Sequence, residues 1–349
     1  MPRPCSYCYT PLDKILCCSR CSKHPYCSRE CQTKDWKKHK LWCGCTAELD
    51  VDFEVRDAGE GRGLGIFALR AFEIGEKILV ERCVLQVPEY LDGKQKLQEV
   101  ARRFASLPAS IQTAVIALHQ GAADTAGSFL VSLFGEGVLQ FKYNAFGLES
   151  EGSGIFVTAS RLNHSCLANC GRYYLKCQKL MVISAEQHIP EGEELIITYT
   201  TCGAQSYDAH CAFIQDTWKF TCTCRACEDP ALAQKLVRIE QLDAELMWLG
   251  SSSRQQEAYE AGESMIALYD ELGLGASRRR RTWYDMFQMA VTREAGLDKA
   301  KYCVQQALDN WVLSVGGSNP EAAEVAKMRS LRDKPQGHGS YLLLRGSPW

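Results

Sequence analysis

Eight metal-ligand residues in four close pairs open this chain, and they limit its fold more tightly than anything after them. Cys5-x2-Cys8, Cys18-x2-Cys21, Cys27-x3-Cys31 and His39-x3-Cys43 supply enough ligands for two closed tetrahedral zinc sites. A pair this close suits a single metal, because one tight turn aims both side chains at a common point. So short a segment buries too little apolar surface to fold unaided, and metal binding supplies the folding free energy. Cys17 adjoins Cys18 and competes with it, but only Cys18 gives the x2 spacing to Cys21; His24 is expected on the surface. Disulfides are the competing use of so many cysteines. No early apolar stretch has the length or flanks of a signal peptide, and the total of 19 is odd. Thiolates that serve metals in a reducing cytoplasm or nucleus are therefore expected.

A second ligand set lies far downstream. Cys222-x-Cys224-x2-Cys227 offers three thiolates and needs a fourth from elsewhere, for which Cys166 is the natural candidate. Three zinc ions per chain follow. The 40 basic and 42 acidic side chains leave a formal charge of -2, so no whole-protein field draws the chain to nucleic acid or to a membrane. No apolar run approaches the length of a bilayer span, and no membrane partner is expected.

Cysteine density and periodicity divide the 349 residues into a finger at 1–45, a β-rich domain at 52–230 and a helical region at 231–349. From Asp52 to Val87, Gly-rich turns alternate with short apolar runs such as Ile66-Phe67-Ala68 and Lys77-Ile78-Leu79-Val80-Glu81; Leu180-Met181-Val182-Ile183 and Leu195-Ile196-Ile197-Thr198-Tyr199 also read as strands. Between them, Leu97, Val100, Phe104, Ile111, Val115 and Leu118 keep helical spacing, which predicts a helical insertion over about 94–134. Beyond Pro230, Leu232, Leu236, Ile239, Leu242, Leu246 and Leu249 line one helix face. Ser253 with Gln256 offers a capping box for the next helix, and the apolar sets around Trp283-Phe287 and Cys303-Trp311 predict two more. Arg278 to Arg281, the longest like-charge run, is expected in a solvated loop, with a nuclear address as the competing reading. The fold class is α+β.

Four separated segments carry the chemistry. Gly59-Glu60-Gly61-Arg62-Gly63-Leu64-Gly65-Ile66 is a turn whose backbone approaches a ligand closely; alone it is equally a plain hairpin. A dinucleotide fingerprint would need a helix next, and a strand follows instead. The others are Arg161-Leu162-Asn163-His164-Ser165-Cys166-Leu167-Ala168-Asn169-Cys170, Glu193-Glu194-Leu195-Ile196-Ile197-Thr198-Tyr199 and Trp218-Lys219-Phe220-Thr221-Cys222-Thr223-Cys224-Arg225-Ala226-Cys227. Singly, His164, Tyr199 and Phe220 are also ordinary core residues; together they are not.

With Tyr26-Cys27-Ser28-Arg29-Glu30-Cys31-Gln32 and Trp36-Lys37-Lys38-His39, the N-terminal stretch resembles the MYND zinc finger. The four later segments resemble a SET domain with its cysteine-rich post-SET tail, so that residues 1 to about 228 are similar to the SET and MYND domain lysine methyltransferase family. The resemblance implies interleaved finger sites, Cys5, Cys8, Cys27 and Cys31 on one zinc and Cys18, Cys21, His39 and Cys43 on the other, with Cys166, Cys222, Cys224 and Cys227 on the third. It implies that Arg62, Gly63 and Leu64 meet S-adenosylmethionine, that Asn163 and His164 lie in the knot holding it, and that Phe220 packs on its adenine. Tyr199 becomes the catalytic residue, while Phe146 and Trp218 wall the lysine channel.

Departures from the family pattern are Leu167-Ala168 where Asp-Pro is common, Trp218 where tyrosine is usual, and a finger that precedes the Gly-rich strand. The expected activity is methyl transfer to a histone or non-histone protein lysine, with proline-rich peptides as possible partners of the finger. The competing readings are a catalytically silent adaptor and a zinc-finger transcriptional regulator, the latter drawing on nine Lys or Arg against three Asp or Glu in residues 1–45.

Overall fold

A computed structural model describes residues 4–12, 16–40, 42–59, 61–120, 125–200, 206–315 and 322–341. Glu60 of the Gly-rich turn, part of the expected insertion (121–124) and two stretches of the helical region (316–321 and 342–349) lie outside the described residues.

The finger pairs β1 (Leu16–Cys17) with β2 (Pro25–Tyr26) and closes with α1 (Arg29–His39). Ser28 caps α1 by accepting from the Cys31 N–H at 3.2 Å, so the cap fixes the helix that carries the ligands Cys31 and His39. Next come β3 (Phe53–Asp57), β4 (Leu64–Ala68), β5 (Lys77–Arg82) and β6 (Leu85–Val87). The expected insertion is helical: α2 (Gly93–Ala105), α3 (Ala109–Ile116) and α4 (Thr125–Phe134), followed by α5 (Val138–Asn144). Asp92 and Gln95 form a reciprocal capping box at α2, and Val100, Phe104 and Val115 pack on Leu85, Val87 and Ile155.

The chain returns through β7 (Phe146–Gly147), β8 (Ser153–Ile155), β9 (Asn163–His164), β10 (Cys170–Leu175), β11 (Leu180–Ala185) and β12 (Glu194–Ile197). Three small sheets result, in the orders β10-β11-β5, β3-β4-β12-β9 and β6-β8-β7. All six residues of β11 are buried, as the middle position of its sheet requires. In the second sheet β12 runs antiparallel to β4 and parallel to β9, with Leu195 opposite Ile66 and Ile197 opposite His164. Segments far apart in sequence are thereby laced side by side.

After β12 come α6 (Tyr207–Trp218), the short α7 (Arg225–Glu228), and then α8 (Pro230–Ser251), α9 (Gln255–Leu272), α10 (Ala276–Ala290), α11 (Leu297–Val315) and α12 (Ala322–Asp333), each of the last five packed on the next. Leu236, Ile239, Leu242, Leu246 and Leu249 form the buried face of α8 as expected. The expected capping box is absent: Ser253 has φ +60°, α9 starts after Arg254, and the Gln256 amide donates to Glu260 at 2.7 Å. Arg278 to Arg281 lie on α10, not in a loop, and face acids across the helix array. Arg278 pairs with Glu240, Arg279 with Asp270 and Arg281 with Asp243, while Arg280 lies over the Trp311 ring. The run ties α10 to its neighbouring helices.

The helical region is fastened to the sheets at the end of α11. There Lys77 donates to the Leu313 carbonyl at 2.6 Å and the Ser184 hydroxyl to the Ser314 carbonyl at 3.0 Å, meeting acceptors the helix leaves unsatisfied. Burial pushes the Lys77 amine down to about 8. No helix among the described residues is long and apolar enough to cross a membrane.

Candidate active site and metal centres

The twelve expected ligands converge as three groups of four. Cys5, Cys8, Cys27 and Cys31 form one, Cys18, Cys21, His39 and Cys43 the second, and Cys166, Cys222, Cys224 and Cys227 the third, with all ligand atoms of a group within 4.8 Å of one another. Sulfur separations of 3.6 Å (Cys8–Cys27), 3.9 Å (Cys18–Cys43) and 3.8 Å (Cys224–Cys227) compare with an edge of about 3.8 Å for a tetrahedron with Zn–S bonds of about 2.3 Å. The donor sets fit zinc, and all four positions are taken by protein, which makes the sites structural. Cys17 is exposed and joins no group. His24 departs from expectation: its side chain is only 19% exposed, its ring stacks 4.2 Å from that of His39, and burial together with that neighbour pushes its pKa down to about 3.

The third group ties the end of β9 to the segment after α6 that carries Phe220. Two histidines back it. His164 Nδ1 accepts from the Tyr199 N–H at 3.0 Å, and burial pushes its pKa down to about 4, so the neutral ring carries its proton on Nε2, 3.5 Å from Cys166 Sγ. His210 Nε2, on α6, lies 3.3 Å from the same sulfur. Sequence reasoning missed His210, whose 44-residue separation from Cys166 leaves no local spacing to read.

The Gly-rich turn leads into β4, with Gly61 at φ +73° and Gly63 at φ +74°, angles that side chains other than glycine rarely adopt. A Cβ at Gly63 would meet nothing within 4 Å, so this backbone faces open space. At Gly65 the reverse holds: a Cβ would sit 2.5 Å from Glu194 Oε1 and 3.0 Å from Asn163 Nδ2. Glu194 is the hub there. It accepts from Asn163 Nδ2 at 2.7 Å and pairs with Arg62 Nη1 at 2.6 Å, so the Arg62 side chain is turned back onto the protein. Asn169, buried nearby, donates to the Glu194 carbonyl at 2.8 Å and accepts from the Ile196 N–H at 2.9 Å. Neither Glu194 nor Asn169 was singled out from the sequence, although both stand inside the segments that were.

Two cavities meet at Tyr199. The larger, about 1140 Å³, is lined by Arg62, Gly63, Leu64, Asn163, His164, Tyr199, Trp218 and Phe220, which gathers every residue expected to hold a cofactor. The smaller, about 180 Å³, is lined by Phe146, Leu162, Arg172, Tyr199 and Trp218 among others, and includes both expected channel residues. Tyr143, Asn144, Ser160, Tyr199 and Trp218 belong to both. The Tyr199 ring lies 5.3 Å from Trp218 and 6.5 Å edge-on from Phe220, and its hydroxyl donates to the Leu162 carbonyl at 2.8 Å. Burial, with the Glu194 carboxylate, pushes that hydroxyl well above the ordinary tyrosine range, so it stays protonated. With its hydrogen committed to Leu162, the oxygen keeps lone pairs for an N–H donor entering either cavity.

The sequence pattern of the SET domain matches residues 63–200 and that of the MYND finger residues 5–43. The N-lysine methyltransferase SMYD2 of Homo sapiens is 29% identical over 247 residues, which cover 68% of this chain and 53% of that protein. SMYD2-A of Xenopus laevis, also an N-lysine methyltransferase, is 26% identical over 240 residues, covering 65% and 52%. The chain thus spans about half the length of these relatives. Among solved structures, the SET domain of LSMT bound to lysine and AdoHcy aligns over 81% of this chain and 87% of that one, at 13% identity and a TM-score of 0.35.

Proposed function

We propose that this chain belongs to the SET and MYND domain family of protein-lysine methyltransferases and transfers methyl groups from S-adenosylmethionine to lysine side chains of proteins. The observation that carries the reading is the meeting of a wide cavity and a narrower one at Tyr199 and Trp218. Two substrates that exchange one carbon need such an arrangement, each held on its own side with the reacting atoms in line.

S-adenosylmethionine supplies a methyl group already activated by positive sulfur, so the chain's own residues have to bind, align and exclude water. The open backbone of Gly63 and Leu64 would line its bed, Asn163 and His164 would hold the strand crossing beneath it, and Phe220 would cover the adenine. Phe146 and Trp218 would confine the lysine stem in the narrower cavity, where desolvation favours the neutral amine that reacts. The Tyr199 oxygen would accept an amine N–H and so turn the nitrogen lone pair toward the methyl carbon. No protein base is required, since solvent can take the proton.

Calorimetric titration of the full chain with S-adenosylmethionine separates this reading from a silent adaptor: binding with displacement by S-adenosylhomocysteine is expected, and no heat would leave the adaptor. Glu194→Gln keeps the bond to Asn163 but discharges the pair with Arg62. Its expected cost of about 1 kcal/mol lowers cofactor affinity roughly fivefold in the same titration. Trp218→Tyr is expected to alter the proportions of mono-, di- and trimethyl-lysine, because the channel wall sets the room left for an amine already methylated. Identical proportions by mass spectrometry would remove Trp218 from that role. For the finger we propose peptide docking over nucleic-acid binding, since Arg278, Arg279 and Arg281, which would have extended a basic surface, are engaged with acids. Salt-dependent binding of duplex DNA would reverse that choice.

A further inference from the structure

Glu81 takes no part in the chemistry above, yet it is buried where the finger meets the wall of the site. Only 6% of it is exposed, and three donors satisfy its carboxylate: the Tyr9 hydroxyl at 2.9 Å, the Thr158 N–H at 2.8 Å and the Ala159 N–H at 2.8 Å. Burial still raises the carboxyl above its ordinary range, because hydrogen bonds offset only part of the lost hydration.

The two sides of this carboxylate belong to different machines. Tyr9 directly follows the ligand Cys8 and holds φ +59°, and its N–H donates to the Cys5 carbonyl at 2.9 Å. A left-handed tyrosine costs about 1 kcal/mol or more and persists where its surroundings dictate it. Here the turn that aims Cys5 and Cys8 at one metal also aims the Tyr9 ring at Glu81. On the other side, Thr158 caps and Ala159 begins the 3-10 turn Ala159–Arg161, whose Ser160 and Arg161 line the large cavity. The next residue, Leu162, offers the carbonyl that fixes the Tyr199 hydroxyl.

We propose that Glu81 is a positioning residue that transmits the state of the Cys5-Cys8-Cys27-Cys31 metal site, through Tyr9, to the segment that orients Tyr199. The proposal rests on the methyltransferase reading of Tyr199. A finger that loses this metal releases Tyr9, Glu81 loses its finger-side donor, and the 158–162 segment loosens while the cofactor bed stays in place.

Hydrogen exchange, read peptide by peptide on the full chain, tests the coupling without relying on activity. Tyr9→Phe keeps the ring and removes the hydroxyl; Cys8→Ser disables the metal site; Glu81→Gln alters the relay itself. Each is expected to speed exchange at residues 158–162, with turnover falling about fivefold and S-adenosylmethionine affinity staying within about twofold, as loss of one buried hydrogen bond would give. A purely local role predicts faster exchange confined to the finger, with 158–162 and turnover as in the wild type, and that result in Tyr9→Phe and Cys8→Ser overturns the proposal. Should Glu81→Gln not fold, those two variants decide. Wild-type protein that transfers no methyl group would defeat the methyltransferase reading, and the exchange pattern would still decide whether finger and segment are coupled.

Discussion

Tyr199→Phe is expected to reduce methyl transfer by about a hundredfold or more while leaving zinc content, folding and cofactor affinity nearly unchanged, a loss of the size seen when one preorganised polar group is removed from a reacting centre. The substitution deletes one oxygen and little volume. In the ground state that oxygen is bonded to the Leu162 carbonyl. A residue serving only that bond would cost about 1 kcal/mol of stability and almost nothing in rate. The larger effect is expected because Tyr199 lines both cavities and its oxygen retains lone pairs for the amine, whose alignment counts chiefly in the transition state. Single-turnover rates on any accepted substrate, beside a calorimetric cofactor affinity, separate the two. Near-normal turnover in a folded Tyr199→Phe protein would end the catalytic role.

Cys166→Ser is expected to do comparable damage by another route. Cys166 lies beyond β9, 3.9 Å from Cys227, so the third metal staples the strand crossing to the segment bearing Phe220. A structural zinc contributes about 10 kcal/mol or more to the fold around it, which no local packing between Phe220 and its neighbours replaces. Loss of the ligand should lower zinc from three to two per chain and weaken S-adenosylmethionine binding by at least about tenfold, since the cover of the cavity is released. Cys17→Ser, at an exposed cysteine outside every cluster, is the matched control and should alter neither quantity. Unchanged cofactor affinity in a two-zinc Cys166→Ser protein would separate the post-SET metal from the cofactor bed.

The metal centres were legible because their information is local. A turn of two or three residues between ligands is a geometric statement in itself, and the grouping followed from the family resemblance that the same residues carried. The strand crossing was legible only as words: the segments around Asn163 and Tyr199 were recognised, but their parallel pairing joins residues 33 apart and the hub at Glu194 residues 31 apart, which periodicity does not relate. Arg278 to Arg281 were misplaced for a physical reason. Four consecutive guanidiniums look like a solvated loop, whereas Ala276, Thr282, Trp283, Met286 and Phe287 set a helical face beneath them and acids on neighbouring helices meet the charge. Ser253 failed as a cap through its left-handed backbone, and His24 failed as a surface residue because packing beside His39 buries it. For the arginines and His24 the error lay in a partner distant along the chain, and for Ser253 in its own backbone.

The measurement closest to the central claim is methyl transfer itself. Full-length protein incubated with S-adenosylmethionine carrying a heavy methyl group and a demethylated cell extract, followed by digestion and mass spectrometry, should yield heavy methyl on lysine side chains, absent when Tyr199→Phe protein replaces the wild type. Wild-type protein with three bound zinc ions that binds the cofactor yet leaves every lysine unlabelled would contradict the proposed activity.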